Sequence, residues 1–267
     1  MTYVYLQEFV KLRLLPSSFE RDGSASPRQH LTCFILNDAI AIDAGSLAMA
    51  LNDKERELVK DVVLTHAHLD HIAGLPLFLD DQFSTISEPL RIHASSEVIE
   101  VLERDVFNWS VYPRFSELRN HVGPVVEYRS FDVASILRIG SVEILPVAVN
   151  HKVPCSGFVI SENGHSIAIT GDTAEMESYW ETVNGRTDLS ALLIECAFPD
   201  ELSDLAENSH HLTPSALARE LAKFRLSHCP VFVINIKPAY RERVIDQISR
   251  SGLDQVSILE IGREYYF

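Results

Sequence analysis

The feature that most constrains this chain is a run of three histidines and one aspartate within six residues, His66-Ala67-His68-Leu69-Asp70-His71. Residues 62–64 just before it are apolar and predict a short buried strand. His66 and His68, two apart on an extended chain, point the same way, and Asp70 and His71 follow as the chain turns into a helix. Imidazole and carboxylate are ligands of zinc, iron and manganese. The run therefore predicts a metal site where a strand ends, and a histidine-rich surface loop is the alternative.

The pattern of the motif also carries a resemblance to a known family. His66-Ala67-His68-Leu69-Asp70-His71 resembles the signature of the metallo-β-lactamase superfamily. Leu69, together with the following Ile72-Ala73-Gly74-Leu75, is most similar to the class II cyclic-nucleotide phosphodiesterases, near the tRNA 3′-processing endonuclease branch. The resemblance implies an αββα sandwich of two mixed sheets, with metals at one edge where loops meet.

The order of predicted elements leads to an α/β protein independently of that resemblance. Strands come first, as a hairpin joined at Asn37-Asp38, and then alternate with helices. Helices are predicted at residues 95–107, 174–183 and 213–224. The 267 residues, of which 46% are hydrophobic, suit one domain spanning 1–267.

Two later motifs extend the ligand set that the resemblance implies. His151 ends an apolar strand, where the family has its third metal-binding histidine, although a lone histidine of this kind is more often structural. Asp172 lies in Gly171-Asp172-Thr173, a motif whose aspartate bridges two metals in the family, and a helix cap is its alternative reading. The resemblance implies two divalent ions, with zinc expected and manganese or iron as alternatives. The first would be held by His66, His68 and His151, and the second by Asp70 and His71, with Asp172 between them.

A second group of residues is assigned to proton transfer. His211, in His210-His211-Leu212-Thr213-Pro214, precedes a helix whose first N–H groups favour an anion. The resemblance implies that His211 protonates the leaving oxygen, with a weaker case for His210. The resemblance also implies that Glu195, at the end of an apolar strand, supports the catalytic histidine, with a plain salt bridge as the alternative. Asp70 is predicted to be both a metal ligand and a catalytic residue.

One position departs from the family pattern. Relatives place a metal-ligating histidine at the end of a late strand, in a context such as His-Ile-Lys-Pro, and this chain has Asn235-Ile236-Lys237-Pro238. An amide oxygen is a weaker zinc donor than imidazole and suits harder cations. The second metal site is therefore expected to be weak, to be filled by manganese or iron, or to be empty.

The composition limits the classes of molecule that this chain is expected to bind. The net charge is −15, which argues against nucleic acid, since affinity for long polyanions rests on Lys and Arg. No apolar run is long enough to span a membrane, and no secretory signal is evident at the start. The four cysteines are interpreted as reduced core thiols, and we expect a cytoplasmic protein. Homodimers are common in the family that this chain resembles, so a homodimer is considered as well.

The aromatic residues within 104–121 belong either to the core or to a flap that stacks a nucleobase.

These observations lead to a specific functional hypothesis. The chain is expected to be a metal-dependent phosphodiesterase that hydrolyses 3′,5′-cyclic nucleotides to 5′-nucleotides by a metal-activated hydroxide. One alternative is an RNA-processing or other hydrolase of the superfamily, such as a lactonase or thioesterase. Another is a non-hydrolytic di-iron protein that binds oxygen or carries electrons.

Overall fold

The computed structural model describes residues 9–253 and 255–267. The strands of these residues form two sheets of seven strands each. In chain order they are β1 Lys11–Leu14, β2 Phe34–Leu36, β3 Ile40–Ile42, β4 Asp61–Val63, β5 Leu90–Ala94, β6 Val126–Ser130, β7 Leu137–Ile139, β8 Val142–Ala148, β9 Ser156–Glu162, β10 His165–Ile169, β11 Leu189–Glu195, β12 Val231–Ile234, β13 Val256–Ile258 and β14 Glu264–Tyr266.

Both sheets are mixed, as the resemblance implied. The first has the order β14-β1-β2-β3-β4-β5-β6, antiparallel from β14 to β3 and parallel from β3 to β6. The second has the order β13-β12-β11-β10-β9-β8-β7, parallel from β13 to β10 and antiparallel from β10 to β7. The expected sandwich of two mixed sheets is therefore confirmed.

The helices cover the outer faces of the sheets. The α-helices are α1 Leu47–Ala50, α2 Asp53–Leu58, α3 Leu69–Ile72, α4 Gly74–Gln82, α5 Ser96–Val101, α6 Ser178–Asn184, α7 Ser203–Ser209, α8 Pro214–Leu221 and α9 Arg241–Arg250. A π-helical turn spans Leu102–Val106, and 3₁₀ turns span Phe115–Glu117, Asp200–Leu202 and Pro238–Tyr240. None of the described helices is long and apolar enough to cross a membrane.

Three apolar clusters fix the four layers. The inner faces of the two sheets meet in one cluster, in which Phe34 and Ile42 of the first sheet join Phe158 and Leu193 of the second. A second cluster packs α4 and α5 on the first sheet, and a third packs α6, α8 and α9 on the second. Burial of apolar surface between layers therefore produces the α/β/β/α order.

One local prediction is confirmed and two are corrected. Asn37 and Asp38 form the hairpin turn, with φ of 48° and 60°. The helix predicted at 174–183 begins only at Ser178, and the Thr173 hydroxyl accepts the Asn150 N–H at 3.1 Å instead of capping a helix. The helix predicted at 95–107 is α-helical only to Val101 and ends as the π-helical turn.

The aromatic residues within 104–121 are divided between core and surface. Phe107 and Phe115 are buried in the cluster under the first sheet. Trp109 is 56% exposed, and its indole N–H donates to Oε2 of Glu117 at 3.2 Å. Two of these side chains therefore have a structural role, and the flap stays a prediction.

Candidate metal centre

Adjacent parallel strands bring the motif to one edge of the first sheet. Strands β3 and β4 are parallel neighbours, so Asp43, after β3, and Thr65, after β4, leave the sheet side by side. Asp43 accepts hydrogen bonds from the Thr65 N–H at 2.8 Å, from Thr65 Oγ1 at 2.9 Å and from His71 Nδ1 at 2.6 Å. One buried carboxylate therefore holds both ends of the His66–His71 loop.

The first cluster comprises His66, His68, His151 and Asp172, whose candidate ligand atoms all lie within 4.8 Å of one another. His68 Nδ1 is 3.1 Å from His151 Nε2, and His66 Nε2 is 3.9 Å from Asp172 Oδ2. Two donors that each lie about 2.0–2.1 Å from one tetrahedral zinc ion are separated by roughly 3.3 Å. The spacing of this cluster suits a shared cation.

His66 supplies an independent test of that fit. Its Nδ1 lies 2.9 Å from Thr65 Oγ1, whereas its Nε2 is buried and has no hydrogen-bond partner. A buried polar atom without a partner is costly, and a metal ion would satisfy it. The donor chemistry and the orphaned nitrogen both fit a divalent cation at this position.

The protonation of His66, His68 and His151 agrees with a ligand role. Burial lowers the pKa of His66 well below its usual range and lowers the pKa of His151 to about 4, although Asp172 opposes both shifts. Burial also lowers the pKa of His68. These imidazoles are therefore neutral at physiological pH, which is the form that binds metal.

A second cluster lies beside the first and shares Asp172 with it. Asp70, His71 and Asp172 offer atoms within 4.8 Å of one another. His71 Nε2 lies 3.4 Å from Asp172 Oδ2, while the bond from its Nδ1 to Asp43 orients the ring. The structure thus brings together all six residues that the sequence proposed as ligands, in two groups joined at Asp172.

Asn235 contacts the shared aspartate with its nitrogen, not its oxygen. Asn235 Nδ2 donates to Asp172 Oδ1 at 2.7 Å. Its Oδ1 accepts hydrogen bonds from Gln29 Nε2 and Thr32 Oγ1, both at 3.1 Å. The amide oxygen considered as a weak ligand is therefore turned away from the clusters, and Asn235 positions Asp172 instead.

His211 and Glu195 form a buried pair next to the clusters. His211 Nδ1 lies 2.7 Å from Glu195 Oε1, which also accepts the Thr173 N–H at 2.8 Å. Burial alone would lower the pKa of His211, but the Glu195 carboxylate more than offsets this and the pKa is raised. Asp172, Glu195 and His211 also have candidate ligand atoms within 4.8 Å of one another. Since Nδ1 of His211 is engaged by Glu195, Nε2 is the nitrogen left for proton transfer.

His210 takes part through its backbone. Its residue conformation is left-handed, with φ of 56°, and its carbonyl lies 3.1 Å from His151 Nδ1. This contact leaves Nε2 of His151 for the first cluster. The His210 ring itself bonds Asn150 Oδ1 at 2.9 Å and does not join the ligands. Sequence reasoning missed the carbonyl because a backbone acceptor leaves no residue-type signal.

The start of helix α8 is not the free anion site that the sequence suggested. Thr213 Oγ1 accepts the Ala216 N–H at 3.4 Å, as the predicted cap. Asp200 accepts both the N–H and the hydroxyl of Ser215, at 2.9 and 2.7 Å. Because these first donors are bonded within the chain, the expectation of phosphate binding there is corrected. A cleft of about 450 Å³ nevertheless lies beside His210 and His211.

Comparisons with known proteins agree with this geometry. Residues 39–229 match the family model described as beta-lactamase superfamily domain. Over 215 residues the chain is 29% identical to a Yersinia pestis protein named "Probable 3′,5′-cyclic-nucleotide phosphodiesterase", covering 70% of this chain and 60% of that one. Over 218 residues it is 26% identical to 3′,5′-cyclic-nucleotide phosphodiesterase 1 of Saccharomyces cerevisiae, covering 69% and 58%. The chain therefore spans about three fifths of the length of these relatives.

The likeness extends to other branches and to solved structures. A Treponema pallidum ribonuclease Z is 26% identical over 145 residues, which cover 51% of this chain and 44% of that protein. The crystal structure of unliganded yeast PDE1 superposes with a TM-score of 0.77 at 17% identity, covering 97% of this chain and 99% of that one. The human short-form tRNase Z structure gives a TM-score of 0.64 at 16% identity, covering 96% and 98%. These superpositions show a shared fold.

Proposed function

This chain belongs to the beta-lactamase superfamily, and from that premise we propose that it is a metal-dependent phosphodiesterase acting on 3′,5′-cyclic nucleotides. The observation that carries the proposal is the His211–Glu195 pair, at 2.7 Å, next to two clusters able to hold metal ions. A set of ligands beside a positioned proton donor is the arrangement that phosphodiester hydrolysis needs. Relatives named as cyclic-nucleotide phosphodiesterases support the same reaction.

The ligand residues would hold the metal through imidazole nitrogens and carboxylate oxygens, with Asp172 shared between the two clusters. His66, His68, His151 and Asp172 would form the principal site, and Asp70 and His71 would complete a neighbouring one with Asp172. A divalent ion bound there would withdraw charge from a phosphoryl oxygen and make water more acidic. Asp43 and Asn235 position the ligands, because their hydrogen bonds hold His71 and Asp172 in place.

His211 would supply the proton for the leaving group. When the bond between phosphorus and the ribose 3′ oxygen breaks, that oxygen gains negative charge and needs a proton. Glu195 holds Nδ1–H of His211 and favours the imidazolium, so that Nε2–H can be given to the oxygen. The product is then the 5′-nucleotide.

The charge of the chain favours a small substrate. The net charge of −15 opposes binding of a long polyanion, because affinity for nucleic acid rests mainly on Lys and Arg at its phosphates. This charge supports a mononucleotide over an RNA substrate.

Product analysis with competing substrates tests the proposal. The purified protein, loaded with zinc or manganese, would be incubated with cyclic AMP, cyclic GMP, bis(p-nitrophenyl) phosphate, a precursor tRNA, a lactone and a thioester. We expect turnover of the phosphodiesters, and 5′-AMP as the product of cyclic AMP. Cleavage confined to the tRNA, the lactone or the thioester would overturn the assignment, as would formation of 3′-AMP.

A further inference from the structure

Lys237 brings a fixed positive charge to the second cluster. Its Nζ lies 2.9 Å from Asp70 Oδ2, and its side chain is 32% exposed. The backbone N–H of Lys237 donates to the Ala197 carbonyl at 3.1 Å, which anchors the segment after β12. An ammonium group therefore occupies one oxygen of a carboxylate that would otherwise serve a metal ion.

Asn235 lacks the means to compensate for that lost oxygen. Its amide oxygen is used by Gln29 and Thr32, and its nitrogen is bonded to Asp172 Oδ1. A nitrogen of this kind donates a hydrogen bond and does not ligate a cation. The second cluster consequently has three donor residues, one of them already paired with a lysine.

The two clusters differ in whether their ligand atoms already have partners within the chain. In the first, the buried Nε2 of His66 has no partner, so an added cation satisfies it. In the second, His71 Nε2 already lies 3.4 Å from Asp172 Oδ2, and Asp70 Oδ2 is bonded to Lys237. A divalent ion in the second cluster would lie beside the Lys237 ammonium and would be opposed by its charge.

We propose that Lys237 serves as the second cation of this centre. The chain holds one tightly bound divalent ion, in the first cluster. The Lys237 ammonium takes the place of a second ion beside Asp70. The role given to the ammonium is to bind a phosphate oxygen of the substrate, and this part of the inference rests on the proposed phosphodiesterase function. Lysine is a compact, strongly hydrated point charge and a common phosphate ligand. The partial exposure of Lys237 leaves its ammonium accessible to such a ligand.

Counting bound metal without substrate tests the proposal. Zinc would be titrated into the metal-free full chain by calorimetry, with elemental analysis after dialysis. We expect one tight ion per wild-type chain. In Lys237→Met, Asp70 is released and the repulsion between the ammonium and a divalent ion is removed, so the second ion should bind at least about tenfold more tightly. Lys237→Arg keeps the charge and should still hold one tight ion.

Matched variants guard against indirect effects. Lys11 also bridges carboxylates, at 3.0 Å to Asp38 and 2.8 Å to Glu264, and neither partner belongs to a cluster. Lys11→Met should leave the zinc titration unchanged. Asn235→His supplies a donor at a position with φ of 54°, a conformation in which histidine is also found, and should tighten the second ion as well. If Lys237→Met does not fold, Lys237→Gln makes the same neutralisation.

The results separate this inference from the proposed function. Two equally tight ions in the wild type would overturn it, as would a second ion in the Lys237 variants that is no tighter than in the wild type. Neither result bears on whether cyclic AMP is hydrolysed. A second readout is the KM for bis(p-nitrophenyl) phosphate at one equivalent of zinc. It should rise in Lys237→Met and fall again with excess zinc, and a KM unaffected by both would contradict a phosphate-binding role.

Discussion

Nδ1 of His211 lies 2.7 Å from Oε1 of Glu195, a carboxylate with no exposed surface. Burial alone raises the pKa of Glu195, and the neighbouring His211 opposes that shift. A buried carboxylate of this kind is stable only with donors around it, and the Thr173 and Leu212 N–H groups supply the others. The pair therefore fixes one tautomer and one orientation of the His211 ring.

Replacing His211 should slow turnover without removing metal. His211→Ala is expected to lower kcat by roughly 10²–10⁴-fold, the usual worth of general acid–base catalysis. The loss should be smaller for bis(p-nitrophenyl) phosphate than for cyclic AMP, because p-nitrophenolate leaves without a proton. The measurements are kcat for both substrates and metal content. Equal losses on both would show that His211 positions substrate or metal instead.

Gly45 supports the second half of the motif through close backbone contact. A Cβ at this position would lie 2.0 Å from the Asp70 carbonyl oxygen and 2.7 Å from the Thr32 nitrogen. Gly45→Ala should therefore displace the Asp70 loop, lower the free energy of unfolding by about 1–3 kcal/mol or more, and reduce bound metal. Gly123→Ala is the control, because its Cβ would meet only Arg119 Nη2, at 4.0 Å. Equal stability and metal content in the two variants would contradict this reading.

Asp61 makes stability depend on pH at a place away from the clusters. Burial alone would raise its pKa, but hydrogen bonds from Arg91 and His93 lower the pKa to about 2. The unfolded value is about 3.9, so this stabilisation is complete above that pH and is lost as the pH falls through about 2.

Asp61→Asn should accordingly destabilise the metal-free protein most at neutral pH. The expected loss at pH 7 is about 1–2 kcal/mol after allowance for solvent screening. The difference between wild type and variant should shrink to about half by pH 3. Urea unfolding at both pH values measures it. A difference that stays constant with pH would show that the Asp61 contacts contribute through packing alone.

The ligand motif could be predicted because its residues are close together in the sequence. His66 and His71 stand five positions apart, so strand and turn geometry alone bring their loop to one place. His151 and Asp172 come from distant strands, and their placement was predicted only through the resemblance. The sandwich architecture was predicted in the same way, whereas pairing of β1 with β14 joins chain segments about 250 residues apart and left no pattern in the sequence.

The orientation of Asn235 shows where sequence reasoning ends. The position was recognised as unusual, but which amide atom faces Asp172 depends on Gln29 and Thr32, residues 206 and 203 positions away. The approach of Lys237 to Asp70 spans 167 positions and was likewise not foreseen. Such long-range polar contacts depend on packing of the whole sandwich, which a single sequence does not display.

His68 provides the most direct test of the account. Its Nδ1 lies 3.1 Å from His151 Nε2, within the cluster proposed to hold the principal ion. The measurement is elemental analysis of purified wild type and His68→Ala, paired with cyclic AMP hydrolysis by the same samples. We predict that His68→Ala loses both the tightly bound metal and the activity, because a catalytic zinc ion has few protein ligands to spare. Full activity with stoichiometric metal in His68→Ala would contradict the central claim.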